Sequence, residues 1–323
     1  MDLTVAHPIG GDVAILESVH PKMVDDLKAI RFLPFDASKI SRNAILAGQL
    51  GHVTGVVVRS RFMLDEELLN AMPALRFIAR SGSGLENIDV EAATRLGIAV
   101  LNSPEGNAPA VGEHVIGMML NLLNRMREAD ASVRAGLWER EVHRGLELGS
   151  RKVGIVGFGH MGRAVAQRLT GFGCEVLAHD KYKTGFNGEF GVQEASLETL
   201  HAEADLVTLH VPLNAETHGM MDDHWFQAWE KPIFLIQAAR GPILKTSSLL
   251  RAMDSGQVLG AALDVVEHEG RDLLGLSEQP DAWSKLLQHP RTLFTPHVAG
   301  WTEESLVKLS TVLVDKIANL RLR

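Results

Sequence analysis

Short apolar runs recur along the chain, each closed by polar or glycine-rich residues and separated by segments with helical spacing. In the first hundred residues the runs are Asp12–Leu16, Val53–Val58, Leu75–Ala79 and Ile98–Leu101, and Met1–Val5 is apolar enough to start another. Pro21–Ile30, Asp65–Met72 and Val90–Leu96 read as helices between them, the second halted before Pro73. Strands alternating with helices predict a parallel sheet covered on both faces. Asn102, Ser103 and Pro104 mark a crossover, because proline fixes direction and withholds a ladder donor. Ala110–Glu128 then carries apolar residues at Val111, Val115, Ile116, Met118, Met119, Leu122, Leu123 and Met126, which predicts a long helix with a broad apolar face. That face suits either a domain core or, with the following Trp138, a subunit interface. Further runs at Val153–Val156, Glu175–Ala178, Ala204–Val211, Pro232–Ala238, Leu259–Leu263 and Thr292–Phe294 predict a second, doubly wound sheet. The fold class read from the pattern is therefore α/β.

The 323 residues suffice for two domains with their own cores. A hydrophobic share of 46% and a charged share of 22% are those of a globular protein. The net charge of −8 argues against nucleic acid as a partner, since phosphate neutralisation needs a basic face. Cys174 is the single cysteine, so no intramolecular disulfide can form, as expected of a cytoplasmic protein. The N-terminus lacks a basic stretch followed by an apolar core, so no signal peptide is expected. No run reaches the roughly 18 apolar residues that span a bilayer, so no membrane association is expected.

Candidate chemistry begins at Lys152–Ala166, where an apolar run leads into Gly157, Gly159 and Gly162 at GxGxxG spacing. The first glycine permits a tight strand-to-helix turn, the second lets backbone approach a diphosphate, and the third lets helix pack on strand. The free N–H groups of the helix start, around His160 and Met161, suit that anion. Asp180 lies eighteen residues after Gly162, at the end of the next strand, where an acidic residue meets the adenosine ribose hydroxyls. A carboxylate there repels a 2′-phosphate, which favours NAD over NADP. Lys181 and Lys183 read as solvated loop residues.

Ligands on parallel sheets gather at the carboxyl ends of strands. Ser81–Gly84 is a glycine-rich turn at such an end, and its N–H groups could receive a carboxylate. Three later ends carry ionisable residues, Arg240, Glu269 and His297. An arginine holds a substrate carboxylate through two parallel hydrogen bonds. A histidine exchanges a proton with a hydroxyl or carbonyl oxygen near neutral pH, and a carboxylate beside it favours the imidazolium and fixes the ring. With NAD, these parts suit hydride transfer to and from a 2-keto or 2-hydroxy acid. Glu113 and His114 read as structural. A metal site on Glu267 and His268 is disfavoured, because no further ligands cluster at metal spacing, and no metal is expected.

From Val56 to about Leu313 the chain resembles the D-2-hydroxyacid dehydrogenase family, through RSGSGLENIDVEAATRLGIAVLNSPEGNAPAVGEH, VGIVGFGHMG, HVPLNAETHGM, AARGPIL, GAALDVVEHE and TPHVAG. The resemblance implies that Arg240, Glu269 and His297 are catalytic. It implies that Asp264 contacts the nicotinamide carboxamide, that His210, Val211 and Pro212 line the dinucleotide with Thr217 nearby, and that Ala238 belongs to the same cofactor site. Ser81 and Gly82 would meet the substrate carboxylate, and Asn107 would lie close to cofactor and substrate. It further implies two Rossmann-like or flavodoxin-like domains, with an NAD-binding domain (103–298) inserted into a substrate domain (1–102 and 299–323). The family is usually dimeric through its cofactor domains, so a homodimer is expected. With the chain ending at Arg323, no C-terminal regulatory domain is expected.

The first half is most similar to phosphoglycerate dehydrogenases, in which an arginine matching Arg59 faces the substrate phosphate. Arg59 could equally be a solvated strand-end residue. Gln237 stands where the family commonly has Asn, Lys245 and Thr246 replace a usual acidic pair and read as surface variation, and Trp301 sits where a small residue is usual. Trp301 either narrows the acyl pocket or packs at the domain joint. The expected function is reversible, NAD-dependent oxidoreduction of a small 2-hydroxy or 2-keto acid, with 3-phosphoglycerate as a candidate. The alternative is an NAD-sensing binding protein of the corepressor type.

Overall fold

The computed structural model describes residues 10–270, 275–276 and 280–320, so the Met1–Val5 run lies outside the described residues. The chain divides into two compact units, Met1–Asn107 with Trp301–Arg323, and Ala108–Gly300.

The first unit runs β1 (Asp12–Ile15), α1 (Pro21–Ala29), β2 (Leu33–Asp36), α2 (Arg42–Leu46), β3 (Gly55–Val58), α3 (Glu66–Asn70), β4 (Phe77–Arg80), α4 (Val90–Arg95) and β5 (Ala99–Asn102). Its sheet is wholly parallel, in the order β2-β1-β3-β4-β5. This is the flavodoxin-like order, and it reverses between β1 and β3. The β2 strand is missing from the apolar pattern because it contains Pro34 and an exposed Leu33; proline is tolerated there because β2 is an edge strand. Along β3, Val56 and Val58 face a core shared with Leu68 and Ala92, while Val57 faces the opposite core with Met23 and Leu27. The two-residue period of a strand thus builds two cores from one run.

The long helix starts six residues earlier than the apolar pattern suggests. α5 spans Pro104–Asn124, with Pro104 in its first turn, where a missing N–H costs nothing. Arg125 adopts a left-handed φ of 53° and breaks the helix, and α6 (Met126–Arg134) follows. Val111, Val115, Met119 and Leu122 are buried against Val153 and Ile155, so the apolar face of α5 is core. The exposed apolar residues lie beyond it, at Met126, Val133, Leu137, Trp138, Val142 and Leu146.

The second unit continues with β6 (Lys152–Val156), α7 (His160–Leu169), β7 (Glu175–His179), β8 (Gln193–Glu194), α8 (Leu197–Glu203), β9 (Leu206–Leu209), α9 (Asp223–Gln227), β10 (Ile233–Gln237), α10 (Thr246–Asp254), β11 (Val258–Leu263), α11 (Asp281–Gln288) and β12 (Thr292–Phe294). Its parallel sheet has the order β12-β11-β10-β9-β6-β7-β8, which reverses between β6 and β9. The last helix, α12 (Glu303–Ala318), returns to the first unit, where Leu313, Val314 and Ile317 complete the core beneath Val13, Phe77 and Ala79. Among the described residues no helix is long and apolar enough to cross a membrane.

Candidate active site

The glycine turn lies where the second sheet reverses. Gly157 leaves β6 with φ +94°, and a Cβ on it would lie 2.7 Å from the carbonyl oxygen of His210 at the end of β9. Both conditions require glycine. A Cβ on Gly162 would collide with the carbonyl of Gly157, so α7 sits directly against the strand end. Gly159 differs, since a Cβ there would meet only Lys183 Nζ, at 3.8 Å. Gly159 caps α7 without a side-chain bond, which leaves the N–H groups of His160, Met161 and Gly162 open to an acceptor such as a diphosphate.

Around this turn the carboxylate of Asp180 is anchored by backbone. Its Oδ2 accepts from Phe158 N–H (2.8 Å), and its Oδ1 accepts from the N–H groups of Tyr182 (2.9 Å) and Lys183 (3.0 Å). A carboxylate oxygen has capacity for a second acceptor bond, so ribose hydroxyls still fit. Lys181 is not simply solvated but pairs with Glu216, which also receives the Tyr182 hydroxyl. Val211 packs close to Gly157. The Thr217 hydroxyl donates to the carbonyl of Pro212 (2.6 Å) and accepts from Asn214 N–H (2.9 Å), so it closes its own loop. The His210 ring places Nε2 3.0 Å from Thr208 Oγ1, and burial pushes its imidazole down to about 3, so it is neutral. The open cradle at Gly159, the uncapped helix start and the positioned carboxylate together fit a dinucleotide.

The three ionisable strand ends belong to adjacent strands. Gln237 on β10 pairs with Leu263 on β11, and Leu263 pairs with Phe294 on β12, so the segments carrying Arg240, Glu269 and His297 leave the sheet at one level. Gln237 is fully buried and its Oε1 accepts from Ala239 N–H (3.0 Å), which shapes the turn from Ala238 to Arg240. Ala238 packs against the core. A Cβ on Gly241 would collide with the carbonyl of Val266, so the Arg240 loop is pressed against the segment that leads to Glu269.

His297 Nδ1 and Glu269 Oε1 lie 2.8 Å apart, which leaves Nε2 of the ring for another partner. His297 has a left-handed φ of 55°, an unfavourable conformation for a residue with a Cβ. Asp264 holds it there. Its carbonyl accepts from His297 N–H (2.8 Å), and its buried carboxylate accepts from Thr295 Oγ1 (2.6 Å), Val298 N–H (2.9 Å) and Ala299 N–H (2.9 Å). His114 Nε2 lies 3.0 Å from Thr295 Oγ1. The sequence reading missed Thr295 and assigned His114 no part here. Their positions, far apart in the chain, carry no spacing signal.

Another sequence reading changes. Thr246 is not surface variation; it is 5% exposed, and its N–H donates to Glu267 Oε2 (2.7 Å) at the start of α10. Glu267 is thereby structural. Among the described residues no group of three His, Cys, Asp or Glu side chains could hold a metal ion.

In the first unit, Arg59 follows β3 beside the end of β1, where that sheet reverses. Glu17, after β1, spends its carboxylate on the N–H groups of Arg59 (2.7 Å), Ser60 (3.1 Å) and Arg61 (3.0 Å). The Arg59 guanidinium lies 4.2 Å over the Trp301 ring, so Trp301 packs on Arg59. Burial pushes the guanidinium of Arg59 below its usual range, an effect that Glu17 opposes. The amides of Ser81 and Gly82, expected to be free for a carboxylate, instead donate to the carbonyls of Val58 (2.8 Å) and Arg80 (2.9 Å). Gly82 is crossed by the Arg80 guanidinium, which a Cβ would strike. Asn107 Oδ1 accepts from Ser83 Oγ (2.7 Å), and Asn102 Nδ2 donates to the Ser83 carbonyl (2.7 Å), so the turn is clamped from β5 and α5.

Residues 116–299 match the NAD-binding domain of D-isomer specific 2-hydroxyacid dehydrogenases. The chain is 34% identical over 294 residues to D-3-phosphoglycerate dehydrogenase of Sus scrofa, covering 91% of this chain and 53% of that protein. It is 35% identical over 266 residues to D-3-phosphoglycerate dehydrogenase of Archaeoglobus fulgidus, covering 82% and 49%. The chain thus spans about half the length of the curated relatives it matches. Its structure is similar to that of D-lactate dehydrogenase from Aquifex aeolicus complexed with NAD and lactic acid, with a TM-score of 0.80, 28% identity and coverage of 95% and 94%.

Proposed function

Because the chain belongs to the D-isomer specific 2-hydroxyacid dehydrogenase family, we propose that it interconverts a small 2-keto acid and its D-2-hydroxy acid with NAD. The carrying observation is the 2.8 Å pairing of His297 Nδ1 with Glu269 Oε1, at a strand end beside that of Arg240. NADH, when bound, supplies the hydride. His297 delivers a proton from Nε2 to the substrate carbonyl oxygen, and Glu269 orients the ring through Nδ1. Arg240 pairs with the substrate carboxylate. In the oxidation direction, neutral His297 takes the hydroxyl proton.

The finer reading is an acid with a second, distal anion, 3-phosphoglycerate being the candidate. It is supported by Arg59, a half-buried cation at the reversal point of the first sheet, and by the phosphoglycerate dehydrogenase relatives. The unit that contains Arg59, Ser81, Gly82 and Asn107 serves as the substrate domain. The exposed apolar residues Met126, Val133, Leu137 and Trp138 support a homodimer through the cofactor domain. The lone cysteine fits the expected cytoplasmic setting. The corepressor alternative gains no support from the comparisons.

The test is NADH oxidation with a panel of 2-keto acids, repeated with NADPH. Turnover of at least one acid, faster with NADH, is the expected result. Tight NADH binding with no turnover of any acid would refute the enzymatic reading.

A further inference from the structure

The Arg59–Trp301 pair has features that a solvated strand-end arginine lacks. Among the described residues, no hydrogen bond or ion pair holds the Arg59 guanidinium. The carboxylate of Glu17, which acts on it electrostatically, has its oxygens engaged by three backbone N–H groups. Glu17 fixes the backbone of residues 59–61 and leaves the side chain to be placed by something else. Trp301 does that. The indole lies 4.2 Å beneath the guanidinium carbon, and it directly precedes Thr302, the N-cap of α12. Thr302 and Ser305 form a reciprocal capping box, with Ser305 N–H donating to Thr302 Oγ1 (3.1 Å) and Thr302 N–H to Ser305 Oγ (3.0 Å), so the Trp301 backbone adjoins a fixed point.

A guanidinium stacked on an aromatic face keeps its N–H edges free, since those donors lie in the plane of the group. The stack therefore orients the cation without consuming a donor, whereas a salt bridge would occupy the edge that an anion needs. The indole face also avoids competing negative charge.

We propose that Trp301 is a specificity-determining positioning residue, which holds the Arg59 guanidinium edge-on for a phosphate or carboxylate at the far end of the 2-keto acid. This rests on the reading that Arg59 receives a distal anion, and it assigns a function to the one residue in the TPHVAGW segment that departs from the resemblance.

The test compares wild type, Arg59→Ala, Trp301→Ala and Trp301→Phe on three substrates. These are 3-phosphohydroxypyruvate (distal phosphate), 2-oxoglutarate (distal carboxylate) and hydroxypyruvate (no distal anion). For whichever distal anion the wild type prefers, Trp301→Ala should raise KM about tenfold relative to hydroxypyruvate, with the change in KM and not in kcat. Trp301→Phe keeps an aromatic face and should recover most of the loss. If Arg59→Ala loses the preference while Trp301→Ala and Trp301→Phe keep it, the positioning role is overturned and the Arg59 reading stands. If Arg59→Ala leaves the preference intact, the Arg59 reading fails and the inference falls with it. An equal rise in KM for all three substrates in Trp301→Ala, unrelieved by Phe, would mark a general packing role and overturn the inference.

Discussion

The main-chain N–H of His297 donates to the carbonyl of Asp264 at 2.8 Å, while the carboxylate of Asp264 gathers the N–H groups of Val298 and Ala299, both at 2.9 Å. A buried acidic residue thus holds His297 in a left-handed conformation of a kind that costs about 1–3 kcal/mol. Replacing Asp264 by Ala leaves buried N–H donors without acceptors, each worth about 1–3 kcal/mol. Urea unfolding of Asp264→Ala should show a loss of at least about 2 kcal/mol. Unchanged stability would remove Asp264 from this role.

Arg240 is held close to the segment that leads to Glu269 by Gly241, where no Cβ fits against Val266. Arg240→Lys keeps the charge and loses the bidentate fork. Its KM for the 2-keto acid should rise about tenfold or more, with NADH affinity within about twofold of wild type. A KM equal to wild type would place the substrate carboxylate elsewhere.

Gly157 combines φ +94° with a 2.7 Å approach of any Cβ to the His210 carbonyl. Gly157→Ala should destabilise by more than about 1 kcal/mol, since alanine is strained at positive φ, and should weaken NADH binding. Fluorescence titration with NADH and thermal unfolding measure the two effects. Normal values for both would show that the turn is more forgiving than its geometry.

Burial holds the His210 imidazole down to about 3, against 6.5 for an ordinary histidine. Between those values the unfolded chain binds the proton and the folded chain does not. His210 therefore costs nothing above about pH 6.5 and destabilises the fold progressively as pH falls towards about 3, by up to about 1.4 kcal/mol per pH unit. Unfolding free energies at about pH 7 and about pH 5 should differ by about 2 kcal/mol more in wild type than in His210→Asn. Equal pH dependence would mean that His210 titrates normally.

Most strands were legible because runs such as Val53–Val58 and Pro232–Ala238 are apolar on both faces, which only a covered parallel sheet requires. Two edge strands, β2 and β8, were not, because Leu33–Asp36 and Gln193–Glu194 bury one side at most and carry proline or charge. The helix over Ala110–Glu128 was legible as a helix, but its limits were not. Pro104 opens it where proline reads as a breaker, and Arg125 ends it through a backbone conformation that no side-chain pattern announces. At the candidate site, spacing located Gly157 and Asp180, and strand ends located Arg240, Glu269 and His297. The hydrogen bonds that the Asp264 carboxylate accepts from Thr295, Val298 and Ala299 join residues some thirty positions apart, and only the fold brings them together. The occupied amides of Ser81 and Gly82 were equally unreadable, because backbone partners leave no trace in residue type.

The central claim is that His297 moves the proton while hydride passes to or from the 2-keto acid carbon. Steady-state reduction of the best 2-keto acid by His297→Ala, alongside its NADH dissociation constant, tests it most directly. The account predicts a kcat lower by about a hundredfold or more with NADH affinity within about twofold of wild type. A kcat close to wild type would contradict it.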